Sequence, residues 1–151
     1  MSSTHWSNRF SPYGIAVLRL AVGGIFLAHG AQKAFIMGVG GVAGFFTQLG
    51  IPLATVAAPM ITGLELLGGV ALIAGLGTRW VAIPLALDVL TATLLVHLRN
   101  GIFVQNGGYE LTMLLGAACI ALIGTGPGAL AIDNRFQRST TSGAVQQTVN
   151  V

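Results

Sequence analysis

The segment Ala54–Ala74 has the sequence ATVAAPMITGLELLGGVALIA, an apolar stretch of 21 residues with one carboxylate, Glu65, at its middle. At about 1.5 Å of rise per residue, a helix of this length spans the hydrocarbon core of a bilayer, which is about 30 Å thick. Glu65 then lies near the midplane, where a charged side chain costs at least about 2.5 kcal/mol. An ionisable residue at that depth indicates a function or a bound partner group, so we look for its partners elsewhere in the chain.

The composition of the whole chain favours the same class of protein. Hydrophobic residues make up 54% of the 151 residues and charged residues only 7%, with a mean hydropathy of +0.81. Soluble domains have about 25% charged residues, so the sequence predicts an all-α, polytopic protein embedded in the lipid bilayer. We expect one membrane domain over residues 1–133 and a disordered tail over residues 134–151, which are rich in Ser, Thr, Gln and Asn.

The charge and the cysteine count exclude several functions. The net charge is +3, but the seven basic residues are scattered singly, so we expect no nucleic-acid partner. The single cysteine, Cys119, excludes an intramolecular disulfide and a C-x-x-C redox pair. Any redox role therefore requires another protein subunit, which can be a second copy, or a bound cofactor.

Apolar stretches and turn residues predict a bundle of four membrane-spanning helices, at about residues 13–33, 54–74, 80–98 and 109–123. The alternative for the first stretch is a cleaved signal peptide, whose apolar region is usually only ~7–15 residues long. In the first helix, Gly23, Gly24 and Ala28 form a stripe of small residues that we interpret as a packing face. Thr78 is expected to cap the third helix.

A short amphipathic helix is predicted between the first two spanning helices. Glycines and the Ile51-Pro52 pair interrupt this region, yet apolar residues recur at spacings of three and four, at Val42, Phe45, Phe46 and Leu49. This pattern is typical of a helix that lies in the membrane interface. The alternative is that it lines the mouth of a cavity.

The distribution of basic residues predicts the orientation in the membrane. Four spans place both termini on one side, together with Arg9, Arg79, Arg135 and Arg138. The opposite side has only Lys33 and Arg99. Because basic residues are enriched on the cytoplasmic side, we expect both termini to be cytoplasmic, in the inner membrane of a bacterium.

The predicted depths place polar residues in two layers. Arg19 and Asp88 lie at similar depths in the first and third helices, within about 3 Å of each other along the membrane normal, and are candidates for a buried ion pair. The alternative role for this pair is to fix helix packing. Glu65 either joins them as a second acid or is protonated, because desolvation disfavours the charged form of a carboxyl group.

The second layer lies at the outer end of the bundle and contains His29, His97, Glu110, Lys33 and Asn106. Histidines and carboxylates can bind a metal or transfer protons, but the close spacing typical of metal sites is missing, so no metal is predicted. We favour hydrogen bonding to a quinone or a similar small head group. The alternative is that these residues satisfy helix ends and interfacial water.

These layers lead to two hypotheses about function. In the first, the protein is the membrane subunit of a redox system, in which Glu65, His29 and His97 transfer protons while Lys33, Glu110, Asn106, Arg19 and Asp88 bind a quinone-like carrier. In the second, the protein is a non-enzymatic scaffold, chaperone or lipid-binding module of a larger complex. A transporter is disfavoured because no internal repeat is present.

The ordered set of short motifs resembles the DoxX family of small bacterial membrane proteins. The motifs are Arg19 followed by GG at 23–24, HGAQK at 29–33, FF at 45–46, LGIP at 49–52, ELLGG at 65–69, GTR at 77–79, His97, NGGYE at 106–110, GPG at 126–128 and Asp133. Together they cover roughly residues 14–133.

The resemblance implies a four-helix integral membrane protein that serves as an oxidoreductase subunit. Members are similar to the membrane subunit of thiosulfate:quinone oxidoreductase, and a mycobacterial member is linked to a complex with a superoxide dismutase and a thiosulfate sulfurtransferase. The resemblance also implies roles for the matching positions Arg19, His29, Lys33, Glu65, Arg79, His97 and Glu110. Asp88 matches no motif, so its pairing with Arg19 depends on depth alone.

Overall fold

The structure, a computed structural model, describes residues 4–135 of the chain and their side chains from residue 11 onward. All regular elements in this range are helical. In chain order they are α1 (Thr4–Ala31), a first π-helical segment (Gln32–Met37), α2 (Gly38–Gln48), α3 (Ala54–Ala74), α4 (Thr78–Ala92), a second π-helical segment (Thr93–His97), two 3-10 turns (Leu98–Asn100 and Val104–Asn106) and α5 (Glu110–Thr125).

The helices are those of a membrane bundle. The described residues contain three helical stretches that are long and apolar enough to cross a bilayer, at Ser11–Gln48, Ala54–Ala74 and Thr78–Asn100, while α5 is a shorter apolar helix of 16 residues. The large side chains of Leu67, Leu87 and Ile120 are between 60% and 69% exposed, as expected for helices that are apolar on all sides and contact lipid. The prediction of an all-α, polytopic bundle is confirmed.

The main apolar core lies between α1, α3, α4 and α5. Its fully buried members come from each of them and include Phe26, Leu72, Leu85 and Leu122. Cys119 of α5 is also part of this core, and its exposed fraction is 0%. The thiol is therefore inaccessible to a partner protein.

The short helix α2 forms where an amphipathic helix is predicted. The first π-helical segment is followed by Gly38, whose φ of 69° and ψ of 151° are adopted almost only by glycine, so the chain changes direction there. Val42 and Phe46 are buried against Ala54 and Ala58 at the start of α3. The buried face of α2 thus packs on the bundle.

Glycines bring α1 and α3 into backbone contact. A Cβ atom added to Gly30 would lie 2.5 Å from the backbone nitrogen of Leu66, and one added to Gly23 would lie 2.9 Å from the carbonyl oxygen of Gly69. Small residues allow this approach between membrane helices. The predicted packing stripe is therefore only partly correct, because Gly24 has open space around it.

The end of the bundle at the α3–α4 turn is closed by the segment after α5. The carboxylate of Asp133 accepts hydrogen bonds from the backbone nitrogens of Gly77 and Thr78, at 2.8 and 3.1 Å. Asp133 therefore caps α4, and the prediction that Thr78 is the cap is wrong: its hydroxyl is buried without a hydrogen-bond partner among the described residues. Most of the predicted disordered tail, residues 136–151, lies outside the described residues.

Candidate functional site

The buried acid of α3 has a basic partner. Glu65 is 7% exposed, and its carboxylate pairs with the ammonium group of Lys33 at 2.5 Å. Lys33 lies in the first π-helical segment, just after α1. Because a lone charge is very costly in an apolar interior, a paired lysine is the simplest reason for an acid at this depth.

The close packing of α1 on α3 positions this ion pair. Gly30 contacts the backbone of Glu65 and Leu66, and Lys33 follows Gly30 by about one helical turn. A lysine at this position is therefore held beside the acid of the neighbouring helix. The π-helical geometry at Gln32–Met37 is also noteworthy, since such turns frequently occur at functional sites.

Asp88 of α4 adds a second buried carboxyl group to the pair. It is 9% exposed and interacts electrostatically with both Glu65 and Lys33. It is also placed to form a hydrogen bond with Glu65, which requires a proton on one of the two carboxyl groups. Two carboxyl groups and one ammonium are neutral overall when the carboxyls share one proton. With that proton the group is neutral, and after its release the group has a net charge of −1.

Two cavities adjoin these side chains. The first, the α2 cavity, has a volume of about 230 Å³ and is lined by apolar residues that include Phe45, Phe46 and Ile51. The second, the loop cavity, has a volume of about 220 Å³ and reaches the α4–α5 connection at Gly107 and Gly108.

Four polar residues line both cavities: Lys33, Glu65, Asp88 and His97. We call them the polar cluster. Convergent polar groups next to apolar cavities are typical of sites for small molecules.

His97 is the imidazole member of the polar cluster. It ends the second π-helical segment and is partly buried. Its Nδ1 atom lies 2.7 Å from the carbonyl oxygen of Gly107. His29, in contrast, lines only the loop cavity and is otherwise exposed. The two histidines thus line the same cavity but differ in exposure.

Comparison with known proteins identifies the family. The DoxX family model matches residues 14–98, a range that contains all four residues of the polar cluster. The chain belongs to the DoxX family. No solved structure matches this DoxX protein.

Three relatives of this DoxX protein are similar over most of their length. "Uncharacterized membrane protein Rv3486" of Mycobacterium tuberculosis is 35% identical, over 88% of this chain and 88% of its own. "Putative oxidoreductase CatD" of Bacillus subtilis is 35% identical, over 83% of this chain and 89% of its own. An uncharacterized protein of Haemophilus influenzae is 32% identical, over 85% of this chain and 94% of its own.

Arg19 is not part of the polar cluster. This residue is 1% exposed, and its guanidinium group donates hydrogen bonds to the carbonyl oxygens of Leu72 and Ile73, at 2.8 and 3.0 Å, and of Ala129, at 3.3 Å. The predicted ion pair with Asp88 is therefore wrong. The helix C-terminus provides a physical reason, because its free carbonyl groups attract a cation.

Glu110 and Asn106 line neither cavity. The Glu110 carboxylate accepts a hydrogen bond from the backbone nitrogen of Val104 at 2.6 Å, and Asn106 is exposed in the same loop. Arg79 lies at the other end of the bundle, where it donates a hydrogen bond to the carbonyl oxygen of Ile123 at 3.2 Å. The polar cluster thus joins residues from both predicted layers, while these three positions remain outside it.

Some lining residues could not be found from the sequence. Gly107 holds His97, yet it offers only a backbone carbonyl, which has no signature beyond the Gly-Gly pair. Phe46 of α2 faces the α2 cavity as well as α3, a position that the helical spacing alone leaves open. Within residues 11–135, no group of three His, Cys, Asp or Glu side chains could hold a metal ion.

Proposed function

We propose that this protein is the membrane subunit of a redox system and that a quinone-type carrier binds at the polar cluster. The observation that carries this proposal is the placement of Lys33, Glu65, Asp88 and His97 between two cavities inside a membrane bundle. The name of the Bacillus subtilis relative, "Putative oxidoreductase CatD", also supports it.

The side chains of the cluster suit such a ligand. Quinone carbonyl oxygens accept hydrogen bonds, and the Lys33 ammonium and a protonated His97 can donate them. Aromatic and aliphatic residues of the α2 cavity suit an apolar ring. A bound quinone supplies proton-coupled electron transfer, while Glu65, Asp88 and His97 hold and move the protons. With Cys119 buried, we propose that electrons come from another subunit or from a soluble reductant.

The melting temperature of the purified protein tests this proposal. A short-chain ubiquinone or a naphthoquinone, added at about 100 times its Kd, should stabilise the protein by about 2.7 kcal/mol. His97→Gln should reduce this shift, whereas Arg99→Gln, which removes an exposed cation outside both cavities, should retain it. If neither quinone raises the melting temperature, the proposal fails.

The scaffold hypothesis remains the second candidate, because the buried Arg19 donates hydrogen bonds to three backbone carbonyls and so serves helix packing. It predicts that Glu65→Gln lowers the folding yield but leaves the activity of the host complex intact. The redox proposal predicts that the folded fraction of the same variant has lost activity.

We also propose a location and an orientation. Both termini are cytoplasmic and the protein lies in the inner membrane of a bacterium as one membrane domain, since four of the five basic residues other than Arg19 and Lys33 fall on the side of the termini. Reporter fusions to the C-terminus, active only in the cytoplasm or only in the periplasm, test this orientation.

A further inference from the structure

We infer that Glu110 is a positioning residue that acts through the α4–α5 connection on His97, and that it keeps Nδ1 of His97 protonated and Nε2 free to accept a proton. This inference deepens the proposed function, on which it rests, because it specifies the atom that exchanges protons at the site.

The contact between His97 and Gly107 determines which ring nitrogen carries the proton. A carbonyl oxygen only accepts hydrogen bonds, so the 2.7 Å contact requires a hydrogen atom on Nδ1. In the neutral ring Nε2 is then the unprotonated nitrogen. No residue among 11–135 hydrogen-bonds Nε2, and the ring lines both cavities. Nε2 is thus a base available to the site.

A continuous chain of hydrogen bonds connects Glu110 to this carbonyl. The Glu110 carboxylate accepts from the backbone nitrogen of Val104 at 2.6 Å. The carbonyl oxygen of Val104 in turn accepts from the backbone nitrogen of Gly107 at 2.8 Å. Gly107 has a φ of +77°, which glycine adopts without strain, and its carbonyl oxygen accepts from His97. The Glu110 side chain therefore helps to hold the turn that orients the histidine ring, together with backbone hydrogen bonds such as that from Gly108 to Phe103 at 2.9 Å.

The groups around His97 include carboxyl groups that can give a proton to its Nε2 atom. Lys33, Glu65 and Asp88 share both cavities with the ring, and His29 shares the loop cavity. Near the turn, the side-chain nitrogen of Asn100 also donates to the carbonyl oxygen of Gly107, at 3.2 Å. A proton leaving a protonated carboxyl of the polar cluster breaks its O–H bond and forms an N–H bond at Nε2. His29, which also lines the loop cavity, is exposed.

Nuclear magnetic resonance of the full chain, with ¹⁵N-labelled histidine, tests the inference. The chain has three histidines, and the His97 signals are assigned by their absence in His97→Gln. In the wild type at a pH where the ring is neutral, we expect a protonated Nδ1 and an unprotonated Nε2. Glu110→Ala should shift both signals toward a mixture of the two tautomers, and Glu110→Gln, which keeps an acceptor oxygen, should restore the wild-type signals. Gln105→Ala, in the same loop and exposed, should leave them unchanged.

A second variant tests the inference if Glu110→Ala does not fold. Val104→Pro removes the backbone donor and also replaces a side chain that lines the loop cavity, and Phe103 already has the ψ of 130° that a residue before proline requires. It should produce the same shift as Glu110→Ala. An unprotonated Nδ1 in the wild type would overturn the inference. So would unchanged His97 signals in both Glu110→Ala and Val104→Pro. Since this measurement needs no quinone, its failure is distinguishable from the failure of quinone binding in the melting experiment.

Discussion

Lys33 and Glu65, which are 32 positions apart in the sequence, form a partly buried ion pair between the π-helical segment after α1 and the middle of α3. Two neighbouring membrane segments are thereby joined at the depth where an unpaired charge is most costly. Asp88 and His97 then complete the polar cluster from α4 and the π-helical segment after it.

Removing only one partner of this ion pair should destabilise the protein strongly. Lys33→Met leaves the Glu65 carboxylate without its cation, and loss of one partner of a buried pair costs about 3–5 kcal/mol. The double variant Lys33→Met/Glu65→Leu should recover most of that loss. Unfolding of the purified protein in detergent measures both, with Arg99→Met as the exposed control. Equal stability of Lys33→Met and the wild type would contradict this prediction.

Gly30→Ala, which adds a methyl group, should disturb the ion pair through the backbone contact between α1 and α3. Its Cβ would lie 2.5 Å from the backbone of Leu66, so α1 and α3 must separate and Lys33 must move away from Glu65. Overpacking of this kind costs about 1–3 kcal/mol. Gly24→Ala is the matched control, because the same methyl group there meets open space. The prediction is wrong if the two variants have the same melting temperature.

The guanidinium group of Arg19 should stabilise the C-terminus of α3. It donates three hydrogen bonds to backbone carbonyls, and hydrogen bonds to charged groups each contribute about 1.5–3 kcal/mol. Arg19→Met should therefore lower the free energy of unfolding by at least about 1.5 kcal/mol. Chemical denaturation in mixed micelles measures the change. A variant as stable as the wild type would show that these contacts are not needed.

Loss of the polar atoms of Asp133 and of Thr78 should have different effects on the free energy of unfolding. Asp133→Ala removes the cap of α4 and should cost about 1 kcal/mol. Thr78→Val replaces a buried hydroxyl that has no partner among the described residues, so it should be neutral or stabilising. Thermal unfolding of the two variants distinguishes the observed cap from the one that the sequence suggested.

The sequence predicts the helices well because apolar length and glycine turns are local signals. The predicted bounds of α3, Ala54–Ala74, agree with the structure at both ends, where glycine at position 75 ends the helix in the left-handed conformation. The membrane class follows from the same pattern. These features depend on residues that are close together in the chain, so they can be predicted from a single sequence.

The composition of the site was less predictable because it depends on how the helices rotate about their axes. Depth along the membrane placed Arg19 beside Asp88, yet the guanidinium group turns toward the carbonyl groups at the end of α3. Depth also separated Lys33 from Glu65, although the glycine contact of α1 with α3 brings them together. Helical depth gives one coordinate of a side chain, and the direction it faces depends on close packing between segments.

A change of chain length within either π-helical segment would rotate the residues that follow it. A turn of this kind contains an additional residue relative to an α-helical turn, and each residue rotates a helix by about 100°. Lys33 and His97 both lie within such turns. Deleting a single residue from either turn would convert it to a regular helix and swing the following side chains around the helix axis. Length changes at these two places would therefore change which side chains face the interior of the bundle and which face the lipid.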